Sequence, residues 1–511
     1  MHQAPPPASW RNKVLRDTAM LNGAALTAQG AGVVQSLIVM RLLEPSVYGI
    51  WLGLFIILTY GGLAHFGTEH GIELRLPYFR GKSQSARGNA MADSVFLFWT
   101  FSTLFVAAGV AVYALASKHS SPLVREGLLA IALLLPLNQQ ANFHSRWQGA
   151  ALTDFKLSSV LSVLQSWVSL LLIAPLVYFM GLRGLMIGTV LVSALVCVVW
   201  LRASAYRFRG RWSTRLVWQA LRVGLPMTLV VLGGGLIQTI DRLVILSVLG
   251  ATSLGYYAVT GLGGGIVYGL MAQAGSAMSP HISAEMGRSR DSPQSLERFL
   301  VVPTIVFAYL STFAIAVLII VIPALVTLWL PKYSPGLGAF LIYIPGFYFL
   351  GIIITANTIL TLVLIARRRQ RLVLYVQAGA IALEGGLAFV LLKSGSGLRG
   401  AAIASTIAYA VYGLAILSMA GRQVLGSRAL ALQFVGRVLV PFVAIIPIMI
   451  LAHNFSVSIY PNRLIPGIAI QTAVLAIITA PMLPVFNRQV RFRPLAIELR
   501  NSLRARLENR R

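Results

Sequence analysis

"RLLEPSVYGIW" fills residues 41–51 and "SVLGATSLGYY" fills residues 247–257, an offset of 206. Both carry Leu at the third place (Leu43, Leu249), Gly at the ninth (Gly49, Gly255) and an aromatic residue at the eleventh (Trp51, Tyr257). A second pair lies further along: "GLRGLMIGT" at 181–189 returns as "GLRGAAIAS" at 397–405, an offset of 216. Four landmarks in one order at nearly one offset mark an internal duplication, and the nature of the duplicated element decides the fold.

That element is a membrane-spanning helical bundle. Of 511 residues 57% are hydrophobic and 11% charged, and the mean hydropathy is +0.78, well outside the range of soluble domains. Apolar runs of about 18 residues or more recur along the whole chain, each long enough to cross a hydrocarbon core of ~30 Å. Fourteen such spans are expected. They lack strand-like alternation, so each must satisfy its backbone polar groups as a helix. Residues 1–17 are polar and basic without a small-residue cleavage pattern, so the first apolar run is expected to remain as a span. The single cysteine, Cys197, leaves no internal disulfide and no CxxC site.

The net charge is +28, from 42 Lys and Arg against 14 Asp and Glu. The cations gather on one side: "RFRGR" at 207–211, "RRRQR" at 367–371 and the tail from Arg488 onward alternate with spans so as to share a face. The opposite connections hold only Lys118, Arg125, Arg183, Lys332, Lys393, Arg399 and Arg463. The positive-inside rule then places both termini in the cytoplasm. The basic charge is read as topology and as attraction to anionic membrane lipids, ~1 kcal/mol per residue near the surface, with no nucleic acid as partner. In the tail, Leu495, Leu499, Leu503 and Leu507 recur every four residues among arginines, the pattern of a helix lying on a membrane surface.

The domain organisation expected is a cytoplasmic N-terminus (1–17), a six-helix lobe (18–201), a basic cytoplasmic linker (202–221), a second six-helix lobe (222–420), two further helices within 434–485 and a basic amphipathic tail (486–511). An even number of spans per lobe makes the repeat parallel, related by an axis along the membrane normal. Two such lobes can rock about a cavity between them and open it to alternate sides. The glycines of the two GLRG stretches are placed to end one helix and turn the chain tightly into the next.

"RLLEPSVYGIW", the stretch "GLPMTLVVLGGGLIQTIDRLVILSVLGATSLGYYAV" and "GLRGAAIASTIAYAVYG" resemble the polysaccharide flippases of the MOP superfamily, the Wzx-type and MurJ-like lipid-linked oligosaccharide transporters. The resemblance covers most of the chain, and fourteen spans match those families. It implies a flippase that moves an undecaprenyl-diphosphate-linked oligosaccharide from the cytoplasmic to the external leaflet of a bacterial inner membrane. A polysaccharide polymerase or export machinery is then a possible partner. No cofactor is implied beyond a coupling cation, H+ or Na+.

Intramembrane polar residues are where such a path would be lined. Gly234, Gly235, Gln238, Asp241 and Arg242 follow three-and-four spacing in the seventh span and so share one helix face, small first and then charged. Arg242 can meet a diphosphate and Asp241 a coupling ion; equally, Arg242 can snorkel with Asp241 as its structural partner. Glu384, in the middle of the eleventh span without a basic neighbour within a turn, is a candidate to take a proton or join a sodium site. In MurJ-like members the sodium site draws on helices 7, 11 and 12, which by position implies Asp241, Glu384 and Thr406. "NQQANFHSRW" (138–147) ends the fourth span with polar groups and Arg146, expected at the inner interface where it could meet a headgroup. His65, Glu69, His70 and Glu73 cluster near the inner end of the second span, with no metal site expected from them. MurJ-like proteins carry arginines deep in the first lobe; here the first two spans show only Arg41, near the external end, a departure that favours a different glycan.

The main alternative is a MATE-like cation-coupled exporter of drugs or metabolites, which shares the two lobes but stops at twelve spans. An enzyme is not expected: no external loop is sizeable, and no Ser-His-Asp, paired-carboxylate or phosphate-loop constellation stands out.

Overall fold

A computed structural model describes residues 8–117, 121–152, 156–288, 293–366, 370–459 and 464–490, among which there are helices and no strands. In chain order they are α1 (Ala8–Leu42), α2 (Pro45–Gly61), α3 (Thr68–Gly81), α4 (Ser85–Ala116), α5 (Pro122–Leu152), α6 (Lys156–Met180), α7 (Leu182–Ala203) and α8 (Thr214–Ile237). There follow α9 (Ile240–Val248), α10 (Gly250–Arg288), α11 (Pro293–Trp329), α12 (Leu337–Ala366), α13 (Gln370–Lys393), α14 (Gly397–Leu425), α15 (Arg428–Ile459) and α16 (Leu464–Val490).

All fourteen expected spans are helical. Twelve stretches among the described residues are long and apolar enough to cross a membrane. The other two expected spans are α5, diluted by "NQQANFHSR", and α10, rich in glycine. Two features were not expected. Helix α3 fills what the sequence reads as a polar loop, and the seventh span is two helices, α8 and α9, parted at Gln238–Thr239. The basic tail from 491 and the N-terminal residues 1–7 lie outside the described residues.

By their internal contacts the residues form two compact units, Met1–Ala258 with Gly385–Leu398, and Val259–Glu384 with Arg399–Arg511. In the first unit α6 lies between α1 and α7, α5 between α4 and α7, and α3 packs against α4, α5 and α8. An aromatic core joins α3, α4, α5 and α8: Phe79, Trp99, Phe143, Trp147 and, from the linker, Tyr206. Tyr206 donates to Asp93 Oδ1 at 2.9 Å, so residues 204–213 are strapped onto the bundle. Burial, then the Asp93 carboxylate, push the Tyr206 phenol well above its ordinary pKa.

The repeated glycines do in both copies what the sequence implies. Gly181 and Gly397, equivalent at the offset of 216, open α7 and α14 with φ of 59° and 56°, the left-handed region that glycine enters without a Cβ clash. Gly49 and Gly255 meet each other. A Cβ at Gly49 would overlap the Ala251 carbonyl and come within 2.9 Å of the Gly255 nitrogen, while one at Gly255 would overlap the Pro45 carbonyl. Pro45 and Ala251 are themselves separated by 206, so the contact maps onto itself when the copies are exchanged, the signature of a local two-fold relation. Each glycine faces a backbone carbonyl of the other helix, four residues before the partner glycine, and its missing side chain lets the two helix backbones touch.

In the second unit α11 packs on α12, α15 and α16. Gly263 of α10 lies beneath the rings of Phe340 and Phe347, and fully buried alanines of α14 (Ala401, Ala402, Ala404, Ala408) allow close packing there. Helices α15 and α16 are joined by buried polar groups: Gln471 Nε2 donates to Ser456 Oγ at 2.7 Å, and Gln471 Oε1 lies 3.4 Å from His453 Nδ1. Such bonds hold helices together where lipid provides no hydrophobic drive.

Candidate functional site

The second span does not run straight into α3. After Gly61 the chain makes a 3-10 turn, Gly62–His65, and then places Phe66 and Gly67 at φ of 49° and 89°. Gly67 is required on two counts. Its φ suits glycine, and a Cβ there would come within 2.7 Å of the Gly224 carbonyl carbon, the Leu225 nitrogen and Thr228 Oγ1. Gly71 sits as tightly on Ala220, so α3 crosses α8 through two more small-residue pairs.

The break exposes backbone groups, and side chains satisfy them. The Gly67 N–H donates to His65 Nδ1 at 3.1 Å, which puts the ring proton on Nε2, 3.1 Å from Glu69 Oε2. Gln139 donates to the Gly62 carbonyl and accepts from Trp99 Nε1 at 2.5 Å. Arg146 of α5 then bridges two carboxylates one turn apart on α3, Glu69 at 2.7 Å and Glu73 at 2.8 Å; His70 Nδ1 completes the chain 3.2 Å from Glu73. Burial raises the Glu69 carboxyl, but the His65 hydrogen bond and the Arg146 charge outweigh it, and its pKa falls below the ordinary value. Glu73 behaves likewise: burial is outweighed by the His70 hydrogen bond and Arg146. Both are carboxylates at neutral pH.

Beside this network, among α2, α5, α6 and α7, is a cavity of about 500 Å³, within the usual size of small-molecule sites, ~300–1,000 Å³. Its polar lining comes from Thr59, Asn138, Gln139, Asn142, Ser145, Ser158, Ser162, Gln165, Thr189 and Ser193, with Phe55 and Trp200 as aromatic walls. No lining side chain is charged. Gln139 is committed to the helix break, whereas the side chains of Asn138, Asn142 and Gln165 make no hydrogen bond to protein among the described residues. Three amides, each able to donate and accept, thus face a recess inside a membrane protein. That chemistry fits a neutral ligand rich in hydroxyl groups.

The residues singled out from the sequence are dispersed. Asp241 is 2% exposed, accepts from the Tyr257 hydroxyl at 2.8 Å and from the Arg242 N–H at 2.7 Å, and lies in the first turn of α9, where a negative charge complements the helix dipole. Arg242 follows it, half-buried. Gln238 ends α8 and donates to Gly234 O at 3.1 Å. The single face expected for Gly234 through Arg242 is therefore interrupted: three consecutive glycines, 233–235, weaken the helix, Thr239 Oγ1 takes the Gly235 carbonyl at 2.9 Å, and Tyr60 of α2 bonds Thr239. Arg41 is exposed in the last turn of α1. Arg146 is held by Glu69 and Glu73. Glu384 is fully buried on α13, and Thr406 on α14 donates to the Ile342 carbonyl of α12 at 3.3 Å. The four acidic and histidine residues at 65–73 do gather, around Arg146; among the described residues no group of three or more His, Cys, Asp or Glu forms a metal site. Asn138 and Asn142 were legible as polar residues ending a span, but their convergence with Gln165 needed the packing of α5 on α6.

Long helices, broken spans and a polar recess within the bundle define a membrane transporter architecture, and known folds agree. The structure superposes on the lipid II flippase MurJ, inward closed conformation, with a TM-score of 0.66 at 13% identity, covering 92% of this chain and 99% of that one. An inward-facing multidrug resistance MATE family transporter of the MOP superfamily matches with a TM-score of 0.59 at 17% identity over 79% and 95%. A MOP superfamily transporter from Pyrococcus furiosus matches at 0.57 and 14% over 81% and 96%. At these identities the likeness establishes the fold, that of the MOP superfamily. No curated protein matches the chain with significance. The polysaccharide biosynthesis protein family matches residues 38–333, more than half of the chain, and the protein belongs to that family.

Proposed function

We propose that the protein is a flippase that carries an undecaprenyl-diphosphate-linked oligosaccharide from the cytoplasmic to the external leaflet of a bacterial inner membrane, by alternating access of two parallel six-helix lobes and with H+ or Na+ as coupling cation. The observation that carries this reading is the uncharged, amide-rich cavity beside the broken second span. A glycan offers many hydroxyls and no charge of its own on most rings, and Asn138, Asn142 and Gln165 offer matched donors and acceptors. Membership of a polysaccharide biosynthesis family supports the same substrate class. So does the coverage of a lipid II flippase fold over 92% of the chain, against 79% for the MATE fold. Both termini lie in the cytoplasm in this reading. Glu384 is the coupling carboxylate, with Asp241 and Thr406 as further members of the ion path; Gln238, Arg41, Arg146 and Arg242 are the substrate contacts to test.

The test is a deletion strain. Loss of surface glycan with lipid-linked repeat units accumulating inside, restored by the wild-type chain, is the expected result. Intact glycan with altered drug tolerance would instead establish a MATE-like exporter. Asn138→Leu with Asn142→Leu is expected to lower export about tenfold or more at unchanged membrane level, since unpaired substrate hydroxyls are penalised in a site built to bond them. Glu384→Gln is expected to abolish coupled export, and normal export by that variant would remove Glu384 from the mechanism.

A further inference from the structure

A second recess, of about 520 Å³, opens where α3, the start of α4 and α8 meet. Four cations line it, Arg75, Lys82, Arg87 and Arg222, and no acidic side chain does. Among the described residues none of the four forms an ion pair. Two are steadied by aromatic faces instead: Lys82 Nζ lies 4.8 Å from the Tyr78 ring centre and the Arg87 guanidinium 5.1 Å from that of Phe79. A cation over a ring is positioned without being neutralised. The floor is rigid, because Phe79 belongs to the aromatic core and the Gly67–Gly224 and Gly71–Ala220 approaches lock α3 onto α8.

Position narrows the ligand. Helix α3 lies between the stretches Pro45–His65 and Ser85–Ala116, both apolar enough to span, and Arg222 is in the first half of a third, Thr214–Ile237. The recess is thus at a membrane boundary, and Leu74 and Tyr78 beside it are half-exposed apolar surface suited to an acyl or isoprenoid chain. Four like charges brought together without counter-charge repel one another, and a ligand carrying more than one negative charge relieves that repulsion better than a phosphodiester can. The three arginines add forked donors that match phosphate oxygens.

We propose that this cleft binds the diphosphate of a membrane-anchored carrier lipid, as a capture site separate from the neutral cavity. The inference rests on the reading that the substrate is lipid-linked. It divides recognition in two: the cleft takes the charge common to every such carrier, and the cavity takes the glycan.

The experiment uses the full chain in nanodiscs, with bound lipid read by native mass spectrometry. The probes are undecaprenyl diphosphate, phosphatidylglycerol and soluble pyrophosphate. The wild type is expected to retain undecaprenyl diphosphate at least about tenfold over phosphatidylglycerol, and Arg75→Gln with Arg222→Gln to lose roughly tenfold or more in that retention. The Lys82→Gln variant, at an exposed position outside the aromatic core, gives a smaller loss in a protein that keeps its core. Equal retention of phosphatidylglycerol would overturn the proposal in favour of a general anionic-lipid patch. Tight binding of pyrophosphate without any lipid preference would overturn it in favour of a soluble-phosphate site, and unchanged retention in the variants would exclude the cleft. The two readings fail separately. Glycan export by a wild-type protein that binds no diphosphate lipid sinks the cleft alone, whereas diphosphate binding in a protein whose deletion leaves glycan export intact sinks the flippase reading alone.

Discussion

The two copies of the repeat break different helices. In the first copy Pro45–Gly81 is interrupted at residues 62–67, whereas its counterpart at the offset of 206, α10, runs unbroken from Gly250 to Arg288. In the second copy the interruption falls one helix earlier, at Gln238–Thr239, where the first copy has the continuous α1. The local sequence differs at both. Gly67 corresponds to Gln273, and the glycines at 233–235 correspond to Thr27, Ala28 and Gln29. Gly67 takes a left-handed φ that no residue of α10 after Gly250 adopts, but a glycine run does not by itself part a span, since α10 stays helical through Gly263, Gly264 and Gly265; at 238–239 the Tyr60–Thr239 bond accompanies the break. The breaks touch one another through Tyr60 and Thr239. Duplication thus supplied a symmetric frame, seen in the Gly49–Gly255 contact, and divergence placed one discontinuity in each copy. Discontinuous spans are where membrane transporters expose backbone polar groups to a ligand or ion.

Exchanging the diverged residues breaks this comparison most strongly. Gly67→Gln meets both a left-handed φ and the backbone of α8; strain of ~1–2 kcal/mol and overpacking of ~1–3 kcal/mol together predict a loss of about 2–5 kcal/mol, read as thermal unfolding in detergent. The converse change, Gln273→Gly, meets no left-handed φ and is expected to cost less than Gly67→Gln, ~1 kcal/mol from helix propensity in addition to the contact that Gln273 makes. Equal losses from the two would refute the asymmetry.

Next come the glycines that kept their symmetry. Gly49→Ala and Gly255→Ala each force apart the same pair of helices, and each is expected to cost ~1–3 kcal/mol. The two values should agree within ~0.5 kcal/mol and the double variant should fall short of their sum, because both act on one contact. Full additivity would mean two independent sites.

Arg146→Gln tests the charge network that the first copy alone has built at its break. The pair residues are partly exposed, so the loss lies between the surface and buried extremes, about 1–2 kcal/mol. The same network sets an acid limit. Glu69 and Glu73 have folded pKa values below their unfolded ones. Their stabilisation is complete above the unfolded value of ~4.3 and is lost as pH falls through the lower folded values. A Tm profile for Glu69→Gln with Glu73→Gln should be flatter than wild type below about pH 4.5; an unchanged acid slope would assign acid sensitivity elsewhere.

The smallest effect is expected at the other break. A Cβ at Gly235 meets nothing within 4 Å, so Gly235→Ala should stabilise α8 by about 0.5–1 kcal/mol. If transport slows while stability rises, the discontinuity in the seventh span is part of the moving machinery. Unchanged transport would make it a passive kink.

Much of this was legible in order along the chain. Hydrophobic length alone located helices at all fourteen expected positions, twelve of them long and apolar enough to span among the described residues, because a segment that must bury every backbone polar group in lipid has few structural choices. The glycines at 49, 181, 255 and 397 announced tight turns and close approaches, since their conformational and steric freedom is a local property. Helix α3 was hidden by its polarity: "TEHGIELRLPYFRG" reads as a connection until its apolar residues Ile72, Leu76 and Phe79 are seen buried against α4, α5 and α8. Asp241 stood out as an ionisable group within a span, but the groups that occupy it, the Tyr257 hydroxyl and the Arg242 N–H, could not be weighed without a fold.

By itself the sequence determined where the long apolar helices lie, the repeat, and the glycine turns at 181 and 397, since each is written in residues within a few turns of one another or in their recurrence. Tertiary structure alone decided that Asn138, Asn142 and Gln165 face one recess and that Arg75, Lys82, Arg87 and Arg222 face another. Those assemblies join residues from different helices, and the rotation of each helix about its own axis is fixed only when small residues such as Gly67 and Gly71 find their partners.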